Sequence, residues 1–166
     1  MYRLYRYIAF VSFIILTGFS ASSQDKVRNL YNPGADAMAE IDSAVGLAAR
    51  TDKHVLIQVG GNWCKWCIRL HQFIESHSQL DSIIKADYVF IHVNYSKENK
   101  NPEAMKRLDY PNRFGFPVFV VLDQNGYRLH TQDTAFLEEG EGYNEKKIRR
   151  FLLGWTVEAV ASEIYQ

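Results

Sequence analysis

The chain has 166 residues, of which 47% are hydrophobic, 14% aromatic and 23% charged. That is enough apolar material for one packed domain and too much for a disordered chain. Its 19 basic and 19 acidic residues cancel, which argues against a basic nucleic-acid-binding stripe.

The elements are read in chain order. Arg3 and Arg6 precede an apolar run from Ile8 to Phe19, and Ser20-Ala21-Ser22-Ser23 follows. This is the pattern of a secretory signal peptide over residues 1–23, with Ala21 and Ser23 at the small positions of a cleavage site. The run is shorter than the ~18 residues of a spanning helix; an uncleaved anchor is the alternative. Removing residues 1–23 leaves 17 basic and 19 acidic residues, a net charge of −2. The expected destination is periplasmic or secreted, where disulfides persist.

Residues 24–35 read as a flexible lead-in that ends at the turn Asn32-Pro33-Gly34. Residues 36–166 read as one domain. Met38, Ile41, Val45 and Ala48 recur at helical spacing behind a capping Asp36. His54 to Val59 is a short apolar, β-branched strand, broken by Gly60-Gly61-Asn62. A helix then starts near Cys64 with Leu70, Phe73 and Ile74 on one face. It bends or stops near Ser76–Ser78, before a short turn around Leu80–Ile84. Tyr88 to Asn94 is a second buried strand, and a short helix lies within Asn101 to Tyr110. Phe116 to Leu122 is a third strand. The turn Asp123-Gln124-Asn125-Gly126 leads to a fourth over Tyr127 to Thr131. Asn144 caps a closing helix carrying Ile148, Phe151, Leu152, Trp155, Ala159 and Val160. This order implies an α/β fold with a central mixed β-sheet flanked by helices on both faces.

Cys64 and Cys67 are the only cysteines, and they share the motif Trp63-Cys64-Lys65-Trp66-Cys67. At a helix start, unpaired N–H groups favour the Cys64 thiolate, and Lys65 adds a positive charge. Cys67, three residues on, shares the helix face and is better shielded. The spacing supplies an attacking thiol, Cys64, and a resolving thiol, Cys67. Two other readings stay open. A disulfide clip is one, although so small a loop stabilises little. The other is a metal site, to which Cys64, Cys67 and His71 bring three of about four ligands. Ile68 stands where a c-type haem motif needs histidine.

With these motifs the chain resembles the thioredoxin superfamily over most of residues 36–160. The resemblance rests on Val55-Leu56-Ile57-Gln58-Val59 running into the cysteine motif, and on Gly115-Phe116-Pro117-Val118 about fifty residues later. The Asp123–Gly126 turn, its strand and the closing helix complete it. The leading helix and the Lys-Trp dipeptide look more like exported members, including the C-terminal domain of the transmembrane disulfide reductase, than like cytosolic thioredoxin. The resemblance implies a thioredoxin-like fold and a thiol–disulfide oxidoreductase, reductase first and oxidase second. A non-catalytic binding module or metal chaperone is the different class. It implies that Pro117 is the cis-proline beside the pair, and that Phe116, Pro117, Trp63 and Trp66 bind substrate. It implies protein thiol or disulfide substrates, a membrane-borne electron donor, no cofactor and no resident metal.

Two departures stand out. Gln58 occupies the position of the family's buried carboxylate, and an amide is no general base. His92 is a candidate substitute, read first as a satisfied core or surface histidine; Glu75 and Asp87 are others. The segment Gln132 to Tyr143 is longer and more acidic than the family's loop, with Glu138, Glu139 and Glu141, and reads as solvated.

Overall fold

The computed structural model describes residues 29–161. The predicted leader, residues 1–23, lies outside them. Asp36 caps the first helix, α1 (Ala37–Thr51), its carboxylate accepting from the Met38 and Ala39 N–H groups. Strand β1 (His54–Gly60) follows, then α2 (Lys65–Ser76), α3 (Ser78–Asp87), β2 (Tyr88–Asn94) and α4 (Pro102–Arg107). A 3-10 turn at Pro111–Phe114 leads to β3 (Val118–Leu122) and β4 (Arg128–Asp133). A second 3-10 turn at Thr134–Leu137 precedes a two-strand hairpin, β5 (Glu138–Glu139) and β6 (Gly142–Tyr143). Helices α5 (Glu145–Gly154) and α6 (Val157–Val160) end the described chain.

The main sheet has the order β2-β1-β3-β4. Strand β1 pairs parallel with β2 and antiparallel with β3. This is the expected mixed sheet, and its two faces follow from the period-two alternation of β1. Val55, Ile57 and Val59 pack with Ile41, Ala44 and Ala48 of α1. Leu56 packs with Leu70, Ile74, Leu80 and Ile148 from α2, α3 and α5. Every residue of β1 is buried, as befits a central strand covered on both faces.

Four expectations need correction. Strand β2 is an edge strand, so Val89 to His92 are only partly buried. The turn around Leu80–Ile84 is a full ten-residue helix, because His77 breaks the α2 ladder with extended backbone and α3 restarts at once. The closing helix breaks at Trp155, and Thr156 caps a separate α6. The acidic segment is built rather than loose: Thr134, Leu137 and Tyr143 are buried within it.

Leu56 sits at the centre of the sheet with no exposed surface. Leu56→Ala should cost about 2–5 kcal/mol, read as a lower urea midpoint with an unchanged slope.

Candidate active site

Strand β1 ends at Gly60, and Gly61-Asn62-Trp63 carry the chain to the start of α2. Cys64 is the N-cap residue of that helix, and its sulfur accepts from the Cys67 N–H at 3.1 Å. Cys64 and Cys67 are joined as a disulfide with their Cα atoms 5.2 Å apart. The pair is asymmetric: Cys67 is fully buried, whereas Cys64 keeps 6% of its surface exposed. Cys64 is therefore less open than the sequence suggested, because Leu30, Trp66 and Phe116 pack against the cluster it forms with Cys67 and Tyr31. The orientation still places Cys64 outermost and Cys67 beneath.

The Phe116–Pro117 peptide bond is cis. Phe116 lies against the cysteine cluster, and the Thr134 hydroxyl donates to the Pro117 carbonyl at 2.5 Å. The two tryptophans diverge. Trp63 is 58% exposed, pinned by its indole N–H to the Tyr95 carbonyl at 2.8 Å and edge-on to Phe116 at 5.6 Å. Trp66 is partly covered by the β5–β6 hairpin: Tyr143 meets it edge-on at 5.6 Å, and the Arg69 guanidinium lies 4.7 Å from its ring centre. Arg69 also donates to the Glu141 carbonyl. The hairpin is thus docked onto α2 through the Tyr143 ring and the Glu141 carbonyl rather than through its three carboxylates.

Gln58 is wholly buried beneath the pair. Its Nε2 donates to the Tyr31 hydroxyl at 2.6 Å and to the Cys67 carbonyl at 3.1 Å. Its Oε1 has no partner among the described residues. The Tyr31 side was not anticipated. Residues 29–34 were expected to be loose, yet Tyr31 is 1% exposed and shares a buried cluster with the two cysteines. Asn62 clamps it on both sides: Tyr31 N–H donates to Oδ1 at 2.9 Å, and Nδ2 donates to the Tyr31 carbonyl at 2.7 Å. Asn99 donates to the Pro33 carbonyl at 3.0 Å, a second anchor for the segment. The one sequence cue was an apolar pair, Leu30-Tyr31, immediately before a turn.

His92 is the β2 register partner of Gln58 and packs at 5.5 Å on Tyr31 and 5.1 Å on His71. It is not the satisfied histidine expected, since its buried Nε2 lacks a partner among the described residues. Burial, with His71 alongside, pushes its pKa down to about 3, so the ring is neutral. His71 is also lowered by burial, against the pull of Glu75 3.3 Å away. Glu75 faces His71, and Asp87 ends α3 at the start of β2, the far end of the sheet from the cysteines. Neither reaches the pair. Among the described residues no three His, Cys, Asp or Glu side chains converge as a metal site.

A family model described as thioredoxin-like matches residues 36–124, more than half of the chain. The protein belongs to this thioredoxin-like family. A curated relative, the disulfide bond reductase DsbH of Chlamydia pneumoniae, is 25% identical over 79 residues, covering 45% of this chain and 48% of the relative. The chain thus spans about half the length of that relative. The crystal structure of a disulphide isomerase from Xylella fastidiosa Temecula1 superposes with a TM-score of 0.65 at 21% identity, over 82% of this chain and 96% of the other. At that identity the likeness speaks for the fold. Within this thioredoxin-like protein the cysteine pair follows the end of β1, with Gln58, Tyr31 and the docked hairpin around it.

A Cβ added at Gly60 would lie 2.5 Å from the Cys67 sulfur and 2.8 Å from the Tyr31 hydroxyl oxygen. Neither neighbour is a free side-chain end. Gly60→Ala should therefore cost about 1–3 kcal/mol in a urea titration. A second expectation follows from His92. Its folded pKa is depressed, so the stability it permits is complete above about pH 6.5 and drains as pH falls toward about 3. His92→Phe should lose less stability than the parent across that window, measured as urea midpoints.

Proposed function

We propose that this protein is an exported thiol–disulfide oxidoreductase acting as a disulfide reductase. The observation that carries the reading is the bonded Cys64–Cys67 pair, its outer sulfur at a helix N-terminus and its inner sulfur sealed beneath. Family membership supports the chemistry, and the curated relative, a disulfide bond reductase, supports the direction.

In the working cycle the reduced Cys64 thiolate attacks a substrate disulfide and forms a mixed disulfide. Cys67 then attacks the Cys64 sulfur and releases the substrate thiolate. The helix N-terminus, through its free N–H groups, favours the anionic form of Cys64. Phe116 and Pro117 lie beside the pair and position an extended substrate segment. Trp63 offers an exposed aromatic face to the substrate, and Trp66, half covered by the hairpin, borders it. The substrates are protein thiols and disulfides. A membrane-borne donor re-reduces the pair, and residues 1–23 act as the export signal ahead of a domain over residues 36–166.

Mass-resolved alkylation across a dithiothreitol series gives the potential of the pair. A reductase should lie near ~−270 mV; a value near ~−120 mV would make the protein an oxidase instead. Cys67→Ser should accumulate mixed disulfides with substrate proteins in the exporting cell, and Cys64→Ser should not. Absence of trapped partners with Cys67→Ser would overturn the exchange mechanism.

A further inference from the structure

Below the disulfide, four groups meet from separate parts of the chain: Cys67 on α2, Gln58 on β1, Tyr31 from the lead-in and His92 on β2. Gln58 spends its N–H groups on the Tyr31 hydroxyl and the Cys67 carbonyl, so a donor for the inner sulfur must come from another residue. Tyr31 is buried, belongs to the same apolar cluster as the two cysteines, and has its hydroxyl oxygen beside the point at Gly60 that the Cys67 sulfur also borders. Gln58 Nε2 donates to that oxygen at 2.6 Å and so occupies one of its lone pairs. Among the described residues the hydroxyl's own proton has no acceptor and remains to be given away.

We propose that Tyr31 is the hydrogen-bond donor that stabilises the Cys67 thiolate, with Gln58 as the residue that positions it. The inference rests on the exchange chemistry proposed above. When an external thiolate attacks the Cys64 sulfur, a new S–S bond forms there and the Cys64–Cys67 bond breaks. Its electron pair stays on Cys67, and Tyr31 donates a hydrogen bond to that thiolate without losing its proton. When the cycle closes, the same thiolate attacks Cys64 and the substrate leaves as a thiolate. Burial holds the Tyr31 phenol far above the ordinary tyrosine range, so it remains a donor at any working pH. A carboxylate in this place would act by accepting a proton; the tyrosine acts by lending one.

The other titratable groups facing the cluster are His92 from β2, His71 from α2 with Glu75 behind it, and Tyr143 from β6. The two histidines are neutral above about pH 6.5 and add no charge next to the sulfur there.

The test reads the thiol itself. In Cys64→Ser, Cys67 is the only cysteine, and the NMR shift of its Cβ follows its ionisation with pH. No exchange occurs in this background, so the result is independent of whether substrates are trapped or which way electrons flow. Adding Tyr31→Phe should lower the ionisation constant of Cys67 about tenfold or more, the scale of a lost hydrogen bond to a charged group. Gln58→Leu should lower it less, because the hydroxyl remains, and His92→Phe should leave it nearly unchanged. A Tyr31→Phe titration that superimposes on its parent overturns the proposal, as does a larger shift from His92→Phe. The parent supplies a second reading if Tyr31→Phe does not fold. Its buried tyrosine hydroxyl proton should move downfield as Cys67 ionises, and a resonance that stays in place overturns the proposal equally.

Discussion

One side-chain amide ties the site together. Gln58 sits in the middle of a strand with no exposed residue, where an unpaired polar group is costly. Both of its N–H groups are used: one on the Tyr31 hydroxyl, the other on the Cys67 carbonyl. In the low dielectric beneath the disulfide these bonds count for more than they would in water. They join the lead-in, the central strand and the first turn of α2 into one unit. Asn62 closes the unit from the other side by clamping the backbone of Tyr31.

The asymmetry of the cysteine pair follows from that unit. Cys67 points inward on α2 and is covered by Tyr31 and the end of β1, so only Cys64 has a path to solvent. Backbone helps as much as side chains: the N-cap position turns Cys64 outward, and the Cys67 N–H already points at its sulfur. The glycine at position 60 leaves room for the inner sulfur and the phenol to meet. Around the rim, Phe116 and Trp63 stack edge-on from the β3 side, while the β5–β6 hairpin closes over Trp66. The rim is therefore apolar on one flank and hairpin-walled on the other.

Much of this was legible in the residues. Asp36 before a 3.6-residue apolar repeat marked α1, and Asn144 marked α5, because caps and periodicity act over a few residues. The β-branched apolar run at Val55–Val59 marked the central strand, and Asn-Gly at 125–126 marked the β3–β4 turn. The helix start at Cys64 and the inward place of Cys67 follow from a three-residue spacing. The break at Trp155, the full length of α3 and the order within the acidic segment were not legible. Each depends on what the segment packs against: Leu137 and Tyr143 are held by α2 and α5, not by their own sequence neighbours.

The sequence by itself determined that a Cys-x-x-Cys pair heads a helix after a buried strand, and that the strand carries an amide, Gln58, just ahead of the pair. These are statements about neighbours in the chain, and short-range sterics and hydrogen bonding decide them. Only the tertiary structure decided what the amide holds. Tyr31 and Gln58 are 27 residues apart, and Gln58 and His92 meet through strand pairing. No local pattern encodes such a meeting, because it arises from the packing of a lead-in that carries no periodicity of its own.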